Sequence, residues 1–579
     1  MHPHSSRSMD VAAEHGPSGG AIVPVGERPT HDVIVIGGGV NGTGVARDLA
    51  LRGVKVALFE KNDLAFGASG NNSGMIHGGP RYLTDHPSVT EQSCRDSGYI
   101  QQIAPFLLFR IPFLFPIPDR GLRSRLFLAG LDGFMAFYDR YVPLKRGKKH
   151  TLLGAEELRH LEPGLLGRYA GAATFDEWGI DGARLCALNV VDACEHGAEA
   201  FVHHEVCELL RHSEAQGGGV RGVVARDLLN GERRVATAPV VVNATGAWSP
   251  LTASLAHGAR VRLRPGKGIH VMFDRRISNY AVVARAIDGR QIFVMPWQNV
   301  SWIGTTDDDF YGDLDHLRAT TDEVRYLIQG VARVLPAVRE ARVIGTTVGV
   351  RPTLPGWGVY EDQLSREHEI VDHGARDGVP NLLSLIGGKL ASYRMFAEEA
   401  SDRVAERLGV PERSRTHLLP LPGGEAMADA RALSDRFAVP EPAVRRLIYR
   451  HGTRAERVLA RTVERPVQRQ VVCPCEPVLE CEVRHVCRHE HARTVSDVAR
   501  RTRLGLGTCG GLRCAHRAAQ IVSEEHDQPP SAAHRMAREF LRERYLSRLP
   551  GLDGVQVRQE ELLAARYQAA GGLGGVERE

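Results

Sequence analysis

The stretch HDVIVIGGGVNGTGVARDLALRGVKVALFEK, His31 to Lys61, decides the fold. Val33 to Ile36 is an unbroken apolar run, as expected of a strand buried on both faces. The chain then turns through Gly37, Gly39 and Gly42. A helix is predicted from about Asn41 to Arg52, and a second strand from Lys55 to Phe59, ending at Glu60. A glycine pattern alone is weak evidence. Between a strand and a helix, with an acid about twenty residues on, it marks a dinucleotide-binding unit. Gly37 permits the tight turn, Gly39 lets backbone approach a pyrophosphate, and Gly42 lets helix and strand pack closely. The helix N-terminus offers free N–H groups to the anion. Glu60 is placed to accept hydrogen bonds from ribose hydroxyls.

The following segment separates FAD from NAD. DLAFGASGNNSGMIHGG, Asp63 to Gly79, is rich in Gly, Ser and Asn. An NAD domain would usually continue with another helix and strand. Small residues with hydroxyls, Ser69 and Ser73 among them, suit a loop wrapped around a long cofactor. VVVNATGAWSP, Val240 to Pro250, reads as a buried strand ending near Gly246. NLLSLIGGKLASYRMFAEEA, Asn381 to Ala400, reads as a strand, a turn at Gly387 and Gly388 carrying Lys389, and a helix facing the cofactor.

These pieces lie far apart, so the expected fold is α/β: a discontinuous, Rossmann-like FAD domain over residues 31–410. An antiparallel-sheet substrate cap, about 100–185 and 260–345, is interleaved with it. The alternating runs HVMF, QIFVMPW and VSWIGTTDDD supply that sheet. Residues 1–30 read as a polar tail, 411–470 as a linker and helical segment, 471–525 as a small helical cysteine-bearing domain, and 526–579 as a helical tail.

The chain has 579 residues and a formal net charge of only +4, which argues against nucleic acid as a partner. The N-terminus lacks the apolar core of a secretory signal. No apolar run reaches the roughly 18–20 residues of a membrane span. A cytoplasmic protein, at most peripheral on the inner face of the cell membrane, is expected. IAPFLLFRIPFLFPIP, Ile103 to Pro118, is densely apolar but broken by Arg110 and prolines. Burial in the cap is favoured for it over contact with a membrane interface.

Basic residues punctuate this half: Arg81 after HGGP, His270 ending RPGKGIH, Arg351 ending TTVGVR, Arg366 in LSREHE, and Lys389. Singly, each reads as a solvated charge. Together they suit a small, doubly charged anion, because arginine presents a planar fork to phosphate oxygens. With SGNNSGMIHGGPRYL, IGTTDDD, GVRPTL, SREHEI and GGKLASYR, in this order, the chain resembles the flavin-linked sn-glycerol-3-phosphate dehydrogenases. The resemblance implies oxidation of glycerol 3-phosphate at C2 to dihydroxyacetone phosphate, with hydride passing to flavin N5 and electrons leaving towards a quinone. It implies Arg81, Tyr82, His270, Arg351 and Arg366 as substrate contacts, His270 as base for the C2 hydroxyl, and Lys389 beside flavin and substrate. Pro80 stands where many relatives have an apolar residue such as leucine.

Six of ten cysteines fall between Cys473 and Cys514. In a reducing cytosol a disulfide framework is not the default. Cys473 and Cys475 form a CxC pair; Cys509 and Cys514 flank the glycines of GTCGGLRC. Four thiolates suit a [2Fe–2S] cluster or a structural zinc. Zinc sites usually show CxxC pairs, so iron–sulfur is favoured over zinc and over no metal. Thr494 and Asp497 read as a capping box opening a helix. Arg500, Arg501 and Arg503 would offset a cluster's charge or form a solvated face. Cys481 and Cys487 lie outside the pattern. The region resembles the small iron–sulfur domain of bacterioferritin-associated ferredoxin. Its fusion behind such a dehydrogenase implies work with a second, flavoprotein-like partner and with a membrane-bound iron–sulfur partner. The alternatives are an amine or 2-hydroxy-acid oxidase of the same fold, or an electron-transfer protein with an inactive substrate site.

Overall fold

The computed structural model describes residues 28–571, except 81–82, 84–86, 214, 216, 361–363 and 365–366. Arg81, Tyr82 and Arg366 therefore lie outside the described residues.

Strand β1, Val33–Ile36, is buried throughout and sits inside a six-stranded sheet. It pairs in parallel with β2, Val56–Phe59, on one side and Val240–Asn243 on the other. Leu382–Gly387 continues the parallel set, His368–Asp372 pairs antiparallel at one edge, and Glu199–Phe201 closes the other. Helix α1, Val40–Leu51, packs on this sheet with the Gly182–Glu195 and Tyr393–Leu408 helices. Val45 and Leu49 of α1 share one buried core with Leu185, Leu188, Phe396 and Ala400. The nucleotide fold is thus assembled from segments far apart in the chain, because each parallel strand needs a crossover before it can return.

A ten-stranded, mostly antiparallel sheet forms the cap. Its one parallel junction joins Leu108–Pro118 to Ala281–Arg285. The apolar segment at Ile103–Pro118 is accordingly interior: Ile111, Phe113 and Leu114 are buried, and the strand pairs along its length with Tyr169–Ile180. Strand Arg264–Phe273 runs antiparallel to Val343–Thr353, with Gly268 opposite Gly349 and Gly266 opposite Arg351. Side chains alternate along a strand, so Gly268, His270, Gly349 and Arg351 share one face.

The C-terminal region is helical. Helices at Ala430–Phe437, Glu441–His451 and Ala455–Glu464 share a core with Leu479 and Cys481. A short hairpin, Val471–Cys473 with Val478–Leu479, leads into helices at Glu480–His489, Val495–Thr502 and Ala515–Glu525. The Thr494–Asp497 capping box is present. The Pro530–Arg548 helix then crosses the cap: Arg544 donates to the Ile344 carbonyl at 3.1 Å, and Thr346 to the Ser547 carbonyl at 2.7 Å.

Buried charge joins this region to the nucleotide fold. Arg501 grips the Asp63 carboxylate with both terminal nitrogens at 2.6 Å, and both side chains are almost fully buried. Arg500 adds a contact to Asp63 at 3.3 Å and lies 5.4 Å from the Phe66 ring centre. His203 meets Asp497 at 2.9 Å. Removing one partner of a buried pair strands the other charge. Asp63→Ala is therefore expected to cost about 3–5 kcal/mol. Denaturant unfolding at neutral pH reads it; an unshifted midpoint would show that the pair is not what holds the two regions together.

Candidate functional site

A cavity of about 1460 Å³ opens between sheet and cap. Its floor is the glycine turn: Gly37, Gly39 and Val40 line it, with Glu60, Ser69 and Gly246 around them. Close packing makes this floor. Gly37 holds φ +112°, and a Cβ there would lie 2.6 Å from the Ala244 carbonyl oxygen. A Cβ on Gly42 would lie 2.0 Å from the Gly37 oxygen. The N-terminus of α1 is thereby brought directly under the cavity, where a pyrophosphate is favoured.

Two predicted cofactor residues also build the cradle. Glu60 accepts from the Gly38 N–H at 2.6 Å and the Asn62 N–H at 2.7 Å. Its burial pushes its carboxyl above the usual range. Ser69 accepts from the Val40 N–H at 2.9 Å, tying the wrapping loop to the start of α1 and keeping its own proton to donate. Opposite, Gly387 and Gly388 hold φ +77° and +86°, and Lys389 follows them on the cavity wall. A Cβ on Gly387 would lie 2.4 Å from the Glu367 carbonyl oxygen, so this turn requires glycine. A long groove with helix N-terminal amides at one end and small residues along its floor fits FAD.

The cap supplies cationic and basic groups. Arg351 lines the cavity and donates to Asp307 at 2.8 Å and to the Thr305 hydroxyl at 3.1 Å. It lies across Gly268, where a Cβ would come within 2.6 Å of its guanidinium. Gly349, on the same face, would put a Cβ 2.6 Å from the Asn71 carbonyl oxygen. The glycines of GKGIH and VGVR thus let Arg351 lie flat and let the wrapping loop touch the cap strand.

His270 is buried behind this wall. Its Nε2 shares a hydrogen bond of 2.9 Å with the Ser73 hydroxyl, and Ser73 itself lines the cavity. Burial, then the Arg351 charge, lowers its pKa to about 3, so the ring is neutral. Its Nδ1 has no hydrogen-bond partner among the described residues. Beyond it, Trp302 and Trp297 stack at 4.9 Å. The structure therefore places Ser73, Arg351 and Lys389 on the lining of one cavity, with His270 reached through Ser73.

An apolar wall went unread in the sequence. Phe113, Phe115, Phe134, Phe175 and Phe293 line the cavity from the cap. They come from strands and a helix whose register only the folded sheet reveals.

The four predicted cysteine ligands lie in one region of the C-terminal part. Cys473 lies beside Cys514 and Cys475 beside Cys509. Backbone N–H groups of Gly505 and Glu476 point at the Cys473 sulfur and that of Cys509 at the Cys475 sulfur. These contacts bring the Cys473 thiol down to about 6. A Cβ on Gly507 would lie 2.5 Å from that of Cys475. Two neighbouring thiol pairs with backbone amides aimed at them suit thiolate ligands, though no three of these sulfurs lie within 4.8 Å of one another. Cys481 and Cys487 sit on the Glu480–His489 helix, where burial raises both to about 12. Of the three arginines, Arg500 and Arg501 turn to Asp63 instead, and Arg503 lies near Glu476 at 3.5 Å.

A dinucleotide groove roofed by a β-sheet that carries its own polar groups defines a flavin oxidoreductase. The comparisons agree: residues 32–394 match the family described as FAD dependent oxidoreductase, and 414–531 match the C-terminal domain of alpha-glycerophosphate oxidase. The chain belongs to the FAD-dependent oxidoreductases, among the glycerol-3-phosphate dehydrogenases. It is 33% identical to one component of the anaerobic glycerol-3-phosphate dehydrogenase of Escherichia coli (strain K12), over 96% of this chain and 98% of that one. The corresponding component of the Haloferax volcanii enzyme is 33% identical over 92% of this chain and 89% of its own length. The glycerol-3-phosphate dehydrogenase of Bacillus halodurans, solved with FAD, superimposes with a TM-score of 0.72 at 25% identity, covering 90% of this chain and 96% of that one.

Gly268→Ala is expected to preserve FAD content while displacing Arg351. The KM for a phosphorylated substrate should rise about tenfold, the loss of one good charged contact. Steady-state kinetics alongside flavin absorbance checks this, and an unchanged KM would separate Arg351 from substrate binding.

Proposed function

We propose that this chain oxidises sn-glycerol 3-phosphate to dihydroxyacetone phosphate on bound FAD. One observation carries the reading. A single cavity is lined both by the dinucleotide turn at Gly37 and Gly39 and by Arg351 and Lys389. The relatives' names supply the substrate class.

Gly37, Gly39, Gly42, Glu60, Ser69, Gly246, Gly387 and Gly388 would hold the cofactor. FAD, when bound, supplies the two-electron oxidant that takes the C2 hydrogen with its bonding pair. The chain's own groups do the rest. Arg351, with Arg81, Tyr82 and Arg366, holds the phosphate and fixes C2 in place, a gain in orientation rather than chemistry. Lys389 adds positive charge on the same wall. His270 takes the C2 hydroxyl proton, with Ser73 as the hydroxyl bridging it to the cavity. Burial is the larger cause of its low basicity and the Arg351 charge the smaller, so a phosphate dianion beside Arg351 offsets only the smaller part. His270→Ala is expected to lower kcat by about 10²–10⁴ while substrate still binds. Near-normal turnover would remove this histidine from proton transfer.

Cys473, Cys475, Cys509 and Cys514 would hold a [2Fe–2S] cluster, which supplies a one-electron store. A second, flavoprotein-like partner and a membrane-bound iron–sulfur partner would take the electrons towards a quinone, with the chain peripheral at the inner face of the cell membrane. Anaerobic purification followed by glycerol 3-phosphate addition tests both halves. Flavin bleaching with loss of broad iron–sulfur absorbance is expected. In Cys509→Ser, iron should fall away while flavin still bleaches. Bleaching without any iron signal would return the cysteines to zinc or structure. An FAD-loaded sample that does not bleach would overturn the substrate assignment.

A further inference from the structure

The paired strands Leu108–Pro118 and Tyr169–Ile180 present Phe113, Phe115, Ala173, Phe175 and Glu177 to the main cavity. Phe113 stands opposite Phe175, and Phe115 opposite Ala173. Alternation along the strand puts Ala173, Phe175 and Glu177 on one face. A carboxylate thus ends an otherwise apolar row.

It is held from behind. The Tyr138 hydroxyl donates to Glu177 Oε1 at 2.7 Å, and Lys145 Nζ lies 3.1 Å from the same oxygen. Lys145 Nζ also donates to the Tyr138 oxygen at 3.2 Å and to the Asp176 carbonyl at 2.7 Å. Tyr138, Lys145 and Glu177 are each no more than 2% exposed. A buried ion pair is expensive to desolvate, and apolar side chains of similar volume often serve a fold as well. Its position on the cavity wall gives this pair a use beyond stability.

The second oxygen, Oε2, meets the Gly78 N–H at a long 3.4 Å. A carboxylate oxygen accepts along two lone pairs, so Oε2 keeps capacity for a further donor. Gly78 belongs to the HGGP loop, whose His77, Gly79 and Pro80 line the cavity. A Cβ on Gly78 would collide with the Cys94 sulfur and the Tyr138 hydroxyl, so this loop rests directly on the network. The Cys94 thiol feels the charges of Glu177, Lys145 and Lys389, which puts the acid in the neighbourhood of the Gly387–Gly388–Lys389 turn.

Charge then sorts the cavity. Arg351 and Lys389 offer cations to a phosphate. Glu177 and Lys145 cancel, so their pair does not compete for the dianion and offers instead a fixed acceptor to a neutral donor. In glycerol 3-phosphate the phosphate sits on C3 and the reacting hydroxyl on C2. The donor that remains is the hydroxyl on C1.

We propose that Glu177 is the specificity-determining acceptor for the C1 hydroxyl, with Tyr138 and Lys145 as its positioning residues. This rests on the reading above that C2 of glycerol 3-phosphate is oxidised here. It narrows the substrate class to phosphorylated diols that carry a further terminal hydroxyl, because a 2-hydroxyalkyl phosphate without one leaves a buried acceptor unpaired.

The full-length, FAD-loaded chain is assayed with sn-glycerol 3-phosphate and with the matching enantiomer of propane-1,2-diol 1-phosphate. The analogue keeps the phosphate and the reacting carbinol and has hydrogen in place of the C1 hydroxyl. The parent should favour glycerol 3-phosphate by about 10²-fold in kcat/KM. Glu177→Gln/Lys145→Met removes both charges together, so neither is stranded. Its preference should fall to about tenfold or less, while competitive inhibition by inorganic phosphate, which needs only the cations, stays as in the parent. Tyr138→Phe keeps the ion pair and should give an intermediate preference. A purely structural role would slow both substrates alike, and an unchanged ratio in both variants would overturn the proposal. A parent that oxidises both substrates equally would overturn it too, with the substrate reading left standing. An FAD-loaded parent that neither substrate bleaches would overturn that reading and this assignment together.

Discussion

The architecture hangs on one steric contact. Gly42 approaches Gly37 so closely that neither position has room for a side chain, and Gly37 in turn lies against the Ala244 carbonyl. That contact presses the start of α1 into the end of β1 and fixes both against the neighbouring strand. Everything that shapes the groove is then referred to it. Ser69 hooks the wrapping loop onto the first amide of α1, and Glu60 clasps the turn from below. The same loop reaches the cap at Gly349 and the C-terminal region through Asp63. A close approach of bare backbone thus sets the spacing of three parts of the molecule.

The chemistry of the cavity follows from where charge is compensated. Arg351 is held by Asp307 at 2.8 Å, so its guanidinium is oriented by the cap itself. His270 carries no charge, because burial and Arg351 both oppose protonation.

Much of this was legible in the sequence where the signal is local. Val33–Ile36, the three glycines and Glu60 lie within one short stretch and report one unit, and the fold found is the one expected. Cys473, Cys475, Cys509 and Cys514 stand out by crowding and spacing, and in the structure they lie as two neighbouring pairs. What escaped depends on register and distance. The Ser73–His270 bond joins residues 197 apart, and no pattern in either segment hints at it. The role expected for Arg500 and Arg501 near the cysteines changes because Asp63, a distant loop residue, competes for them.

The Asp63–Arg501 pair also has a history within the synthesis of each molecule. Its partners are 438 residues apart. At about 5–20 residues per second, roughly 20–90 s separate the emergence of the carboxylate from that of its guanidinium. Throughout that interval the cofactor-wrapping loop carries an acid destined for burial with nothing to neutralise it. The loop that carries Asp63 therefore gains its full set of buried contacts only after nearly the whole chain has been made.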